Sequence, residues 1–244
     1  MMGKSHLIIG TGVSLSIMQL AGVEITLPCV AIAAVSSLAP DLDEPNSLLA
    51  RKAIPGILLR VLQVLLLAAG VYIYAAELAP APWHLVLGIL TASVSFVPGR
   101  SLRQLAMLLI GVGLIAFLES AAPWNSVAGS ILVLSAVVQH RGFTHTFYAL
   151  AGWTALLYFA GQQADSASGL WIAGGLGYAL HLLADSLTRR GIKPLPPLPI
   201  KLRLKLMSTG TKKGDKVERI FVVLTLVLVV YAFAPPLFER LTGS

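Results

Sequence analysis

Charge is what this chain has least of. Only 12% of its 244 residues are Asp, Glu, Lys or Arg and 56% are apolar, whereas an ordinary soluble domain is about a quarter charged. That deficit excludes a water-soluble globular protein. Strict alternation of polar and apolar residues is missing too, which removes the pattern of a membrane β-barrel. The single cysteine, Cys29, stands inside an apolar run, so it forms no internal disulfide and leaves the redox compartment open. Its ordinary role would be that of a small core residue. Nor is a cleavable leader evident. Thr11, Ser14, Ser16 and Gln19 dilute the first apolar stretch behind Lys4, and the chain then goes on making helices, so this segment is expected to be retained.

What is present is a series of apolar blocks of about 13 to 20 residues. In hydrocarbon such blocks can only be helices, because no water satisfies their backbone groups. The expected fold class is therefore all-α, a single polytopic transmembrane bundle over residues 1–244 with about nine membrane helices. The expected spans are 7–22, 27–39, 57–76, 84–97, 104–118, 125–138, 145–161, 170–187 and 220–234. At 1.5 Å per residue the second reaches only about 20 Å, so the first two are short enough to form a re-entrant pair instead. Between the last two spans, residues 192–219 carry Pro194, Pro196, Pro197 and Pro199 together with Lys193, Lys201, Arg203, Lys205, Lys212, Lys213, Lys216 and Arg219. This composition predicts an extended, basic surface segment lying against anionic lipid.

The net charge of +7 is unevenly placed. One set of turns collects Lys4, Arg51, Lys52, Arg100, Arg103, Arg141, Arg189, Arg190 and the basic segment. The other holds Glu24, Glu77, Glu119, Asp165 and Arg240. By the positive-inside rule the first set is cytoplasmic, so the N-terminus is expected inside and the C-terminus outside. The charge orients the chain and does not point to nucleic acid.

On that topology His6, Asp41, Asp43, His140, His145, His181, Asp185 and Glu218 all fall at, or within about two turns of, the cytoplasmic helix ends. His181 and Asp185, at i and i+4, lie about 40° apart on a helix and can address one ion, although a plain His–Asp hydrogen bond has the same spacing. His140 and His145 could not share an ion on one helix, but Gly142 between them permits a turn that brings them together. Asp41 and Asp43 taken alone would be a solvated helix end. Together, imidazole nitrogens and carboxylate oxygens without a spare thiol are the ligand set of zinc, manganese or iron in hydrolytic sites, with zinc favoured. So many ligands suit one or two ions, and two held roughly 3.5 to 4 Å apart can clamp a phosphoryl group. Asp43 and Arg141 are the candidates for a direct part in catalysis. Arg141 either holds a phosphate oxygen or serves only as an orientation signal. His84, beside Trp83 on the opposite face, is assigned an interfacial role.

These motifs also occur in a recognisable order. Behind an early His6 come Pro40-Asp41-Leu42-Asp43, then His140-Arg141-Gly142-x-Thr144-His145, then His181-Leu182-Leu183-Ala184-Asp185-x-x-Thr188, then Thr209-Gly210-Thr211 ahead of Glu218. Nearly the whole chain resembles the YdjM-type inner-membrane proteins, and the resemblance implies a metal-dependent hydrolase. The His and Asp inventory is distantly similar to zinc-dependent phospholipase C and P1 nuclease, which cleave phosphoesters. Those enzymes have further ligands and an N-terminal tryptophan that this chain lacks, so their three-metal assignment does not carry over.

Two function classes follow. The first is a membrane-embedded hydrolase of a phosphoester in a lipid or membrane-associated substrate, with membrane lipids as its partners. The second is a non-catalytic metal-binding membrane protein or transporter. A transport path would carry ionisable residues through the midplane, and the centres of these helices hold few.

Overall fold

A computed structural model describes residues 1–43, 54–137, 142–163 and 169–242; the side chains of residues 42, 43 and 235–242 are outside that description. Nine α-helices occur among the described residues: α1 (Gly3–Leu20), α2 (Leu27–Ser36), α3 (Gly56–Ala75), α4 (Trp83–Val94), α5 (Gly99–Phe117), α6 (Trp124–Val137), α7 (Phe147–Gln162), α8 (Leu170–Ser186) and α9 (Lys212–Thr242). Short 3-10 turns cover Ala39–Asp43, Glu119–Ala121 and Phe143–His145. The described residues form no strand, only isolated bridges from Thr188 to Met207 and from Ile192 to Leu202. The protein is a helical membrane bundle.

Among the described residues, three helical stretches are long and apolar enough to cross a membrane: α3, α5 and α9 from Lys212 to Ala234. Apolar but shorter are α2, α4 and α6. Outward-facing Leu65, Leu90, Leu109 and Val227 are exposed, an arrangement that water penalises and acyl chains do not.

Local chemistry shifts three of the expected boundaries. A helix was expected from His145, but α7 begins at Phe147 because the Thr146 side chain caps it, accepting from the Ala149 N–H at 3.1 Å. His145 is thereby left in a 3-10 turn. The last helix begins at Lys212 rather than near Ile220, capped by Thr211, whose hydroxyl accepts from the Gly214 N–H at 3.1 Å. It also runs on through Pro235 and Pro236 to Thr242 instead of stopping there, as membrane helices tolerate interior proline. The basic segment from 192 to 219 therefore divides into an irregular stretch and the first turns of α9.

Packing yields two helical hairpins, α3 with α4 and α5 with α6, and a bundle in which α8 touches α1, α2 and α7 while α9 lies along α1. The α3–α4 crossing is close: a Cβ on Gly70 would stand 2.6 Å from the backbone of Gly88 and of Ala92. Small residues bring membrane helices to this separation. The buried core runs through Met18, Cys29, Ile32, Trp153, Leu157 and Leu182, and the Trp153 Nε1–H donates to Ser36 Oγ at 2.8 Å. At Gly177 a Cβ would lie 2.8 Å from the Ala33 carbonyl oxygen. Hydrogen there lets α8 lie flush on α2, which sets the position of everything one turn further on.

Candidate metal centre

One turn beyond Gly177, α8 carries His181 and then Asp185, both 1% exposed. Their i, i+4 spacing puts them on one face, turned towards the end of α2. The 3-10 turn after α2 supplies Asp41, and the 3-10 turn before α7 supplies His145. These four residues each offer a ligand atom within 4.8 Å of all the others. His145 Nε2 lies 3.6 Å from Asp41 Oδ1 and 3.5 Å from Asp185 Oδ2. His181 Nε2 lies 3.7 Å from Asp41 Oδ1.

The rings are held from behind. His181 Nδ1 lies 2.8 Å from the Ser37 carbonyl oxygen. A carbonyl only accepts, so Nδ1 carries the proton and Nε2 presents its lone pair to the cluster. That Nε2 is buried and makes no hydrogen bond among the described residues. Tyr178, on the same face of α8, donates its hydroxyl to the Thr144 carbonyl at 2.5 Å and so fixes the turn that bears His145. Thr144 Oγ1 is 3.1 Å from His145 Nδ1. Below Asp185 the Thr188 hydroxyl donates to the Asp185 carbonyl at 2.8 Å.

His6, from the first turns of α1, lies beside the four. Its ring stacks on that of His181 with centroids 3.9 Å apart and planes 15° from parallel. Its Nε2 is 3.3 Å from Asp185 Oδ1, which also accepts from the Met1 amino group at 3.1 Å. Glu218 is placed differently. Its buried carboxylate accepts from the Met2 N–H at 3.2 and 3.3 Å and from the Ser5 hydroxyl, so it ties α9 to the start of α1. His140 and Arg141 lie outside the described residues, as does the side chain of Asp43. His84 sits at the start of α4 with its ring 6.0 Å from that of Tyr74.

Sequence reasoning did not single out Ser37 or Tyr178. Tyr178 was within reach, since it precedes His181 by three residues on the same helix face. Ser37 contributes a backbone oxygen, for which no residue type is a signal.

The profile of the YdjM inner membrane protein family matches residues 1–236. The chain belongs to that family. Two proteins named inner membrane protein YdjM, from Escherichia coli (strain K12) and Shigella flexneri, are each 33% identical to it over 97 residues. That match covers 38% of this chain and 46% of each relative, less than half of their length. No solved structure matches. The family is one of inner-membrane proteins, which accords with the membrane-spanning lengths of α3, α5 and α9.

In this YdjM-family chain the donor set fits a divalent transition ion: two imidazole nitrogens and two carboxylates, mostly buried, with one imidazole tautomer fixed by a backbone carbonyl. Electrostatics at the two turns express the same crowding. Burial alone would raise the Asp41 carboxyl, but the neighbouring imidazoles of His145, His181 and His6 hold it well below the usual carboxylate range. Burial alone would lower His145, but the close carboxylates of Asp185 and Asp41 outweigh it and raise that imidazole to about 9. The Asp41 carboxylate and the His145 imidazolium thus favour each other's charged forms.

Proposed function

We propose that this YdjM-family protein is a membrane-embedded, metal-dependent hydrolase that cleaves a phosphoester in a lipid or membrane-associated substrate at the cytoplasmic interface. The observation that carries the reading is the convergence of Asp41, His145, His181 and Asp185 with their ligand atoms within 4.8 Å of one another. Their chemistry favours zinc, with manganese or iron as the other candidates. An ion in such a site polarises a phosphoryl oxygen and makes a water acidic enough to react near neutral pH.

The chain's own groups have separate tasks. His145 Nε2, His181 Nε2, Asp41 Oδ1 and Asp185 Oδ2 would hold the ion, and Ser37 and Tyr178 would keep the two rings from turning away. Asp41 is the least enclosed of the four, 23% exposed, so substrate would approach from its side. Arg141 is assigned to a substrate phosphate oxygen, an anion that a guanidinium holds in bidentate fashion. Asp43 is assigned a direct part in catalysis from the sequence pattern alone. The positive-inside distribution orients the protein with its N-terminus and site cytoplasmic and its C-terminus periplasmic.

The test is the metal content of the purified protein, measured together with turnover of a panel of phosphomonoesters, phosphodiesters and phospholipids before and after chelation. Bound metal with chelator-sensitive turnover of one panel member is the expected result. Stoichiometric metal without turnover of any of them would replace this reading with that of a non-catalytic metal-binding membrane protein. The metal count also decides between one ion and two.

A further inference from the structure

The irregular stretch between α8 and α9 alternates apolar and basic residues, Ile200-Lys201-Leu202-Arg203-Leu204-Lys205-Leu206. Every residue from 196 to 206 is exposed. Leu204 is 63% exposed and Leu206 50%. Exposure of this kind usually belongs to a floppy loop, but this stretch is tied down. Its Leu204 N–H donates to the Ser186 carbonyl at 2.8 Å, its Leu206 N–H to the Leu187 carbonyl at 2.9 Å, and Ile192 and Leu202 exchange two bonds of 3.0 Å. The last carbonyls of a helix need partners from outside it, and here the stretch supplies them for α8. A fixed row of bare leucines and isoleucine interleaved with cations is costly in water. At a lipid surface both components are satisfied: the apolar side chains enter the acyl boundary and the cations meet anionic headgroups.

We infer that residues 198–206 form an interfacial strap, seated in an anionic leaflet with Ile200, Leu204 and Leu206 among the acyl chains and Lys201, Arg203 and Lys205 against the headgroups. Because the strap closes the end of α8, it fixes the depth of Asp185 and His181 relative to that surface. The inference concerns lipid contact alone and does not rest on hydrolase activity.

The experiment places an environment-sensitive NBD fluorophore on Leu204→Cys, or in a second protein on Leu198→Cys, in a Cys29→Ala background, with Thr209→Cys as the reference beyond the strap. Each full-length protein is reconstituted into phosphatidylcholine vesicles with or without phosphatidylglycerol, and quenching by brominated lipid is compared with quenching by aqueous iodide. Expected is bromolipid quenching at 204 and 198 roughly twofold or more above that at 209 when phosphatidylglycerol is present. The same quenching should fall in the triple variant Lys201→Gln, Arg203→Gln, Lys205→Gln. Iodide quenching at 204 and 198 equal to that at 209, without bromolipid quenching, would overturn the strap. Bromolipid quenching equal with and without phosphatidylglycerol would overturn its assignment to an anionic leaflet.

Discussion

His181 donates from Nδ1 to the Ser37 carbonyl at 2.8 Å, and this bond makes Nε2 the nitrogen that faces Asp41. It exists because α8 and α2 touch at Gly177. Gly177→Ala places a methyl group against the Ala33 carbonyl and pushes the helices apart. The expected cost is about 1–3 kcal/mol of stability, with metal affinity reduced about tenfold or more through the lost orientation of His181. Thermal unfolding in detergent and metal titration of the same preparation check it. Unchanged affinity in a destabilised protein would show that the ring is not oriented through this contact.

Asp185→Ala should lower the metal bound per folded protein, since the carboxylate lies 3.5 Å from His145 of the cluster and 3.3 Å from the adjoining His6. His84→Ala, beside Tyr74 on α4, should not. Elemental analysis of the two variants, each shown to be monodisperse, decides. Equal losses in both would mean that the assignment of these residues to opposite ends of the bundle has no predictive content.

Tyr178→Phe removes the hydroxyl that the Thr144 carbonyl accepts. Loss of one buried hydrogen bond should cost about 1 kcal/mol. The more telling readout is metal affinity, expected to fall about 10- to 100-fold because the His145 turn is released. A stability loss with full affinity would mark Tyr178 as a packing residue only.

Metal uptake should depend on pH in a definite direction. With His145 raised to about 9, its imidazole is protonated at pH 7, and a ligand nitrogen must give up that proton. Apparent affinity should therefore rise by about tenfold per pH unit from pH 6 towards 9, where the gain levels off. Calorimetry at pH 7 in buffers of different ionisation enthalpy should register about one proton released per ion. Affinity that is flat over this range would exclude His145 as a ligand.

A reporter fused at the C-terminus should be periplasmic and one inserted between residues 200 and 215 cytoplasmic, as the distribution of Lys and Arg requires. Finding both on one side would make the number of crossings even.

The helices were largely legible because block length and the cost of an unpaired backbone in lipid leave little choice. Their ends were less so, as Thr146 and Thr211 show: a single hydroxyl decides where a helix begins, and a hydropathy pattern does not weigh it. His181 and Asp185 could be paired from spacing alone, since both ride on one helix. Their meeting with Asp41 and His145 depends on two 3-10 turns brought together by tertiary packing, which local sequence only permits. Glu218 could be picked out as an acidic residue in basic surroundings. Its hydrogen bonds to Met2 and Ser5 reach across 216 and 213 positions of sequence, beyond any local pattern.

That reach also makes the site depend on a contact outside its own ligand set. Glu218 lies near the start of α9, and it holds the start of α1, the helix that carries His6. The ion-binding end of the bundle is thus latched through the start of α1, and a chain lacking the Glu218 carboxylate would keep Asp41, His145, His181 and Asp185 while losing the clasp that holds the turn bearing His6.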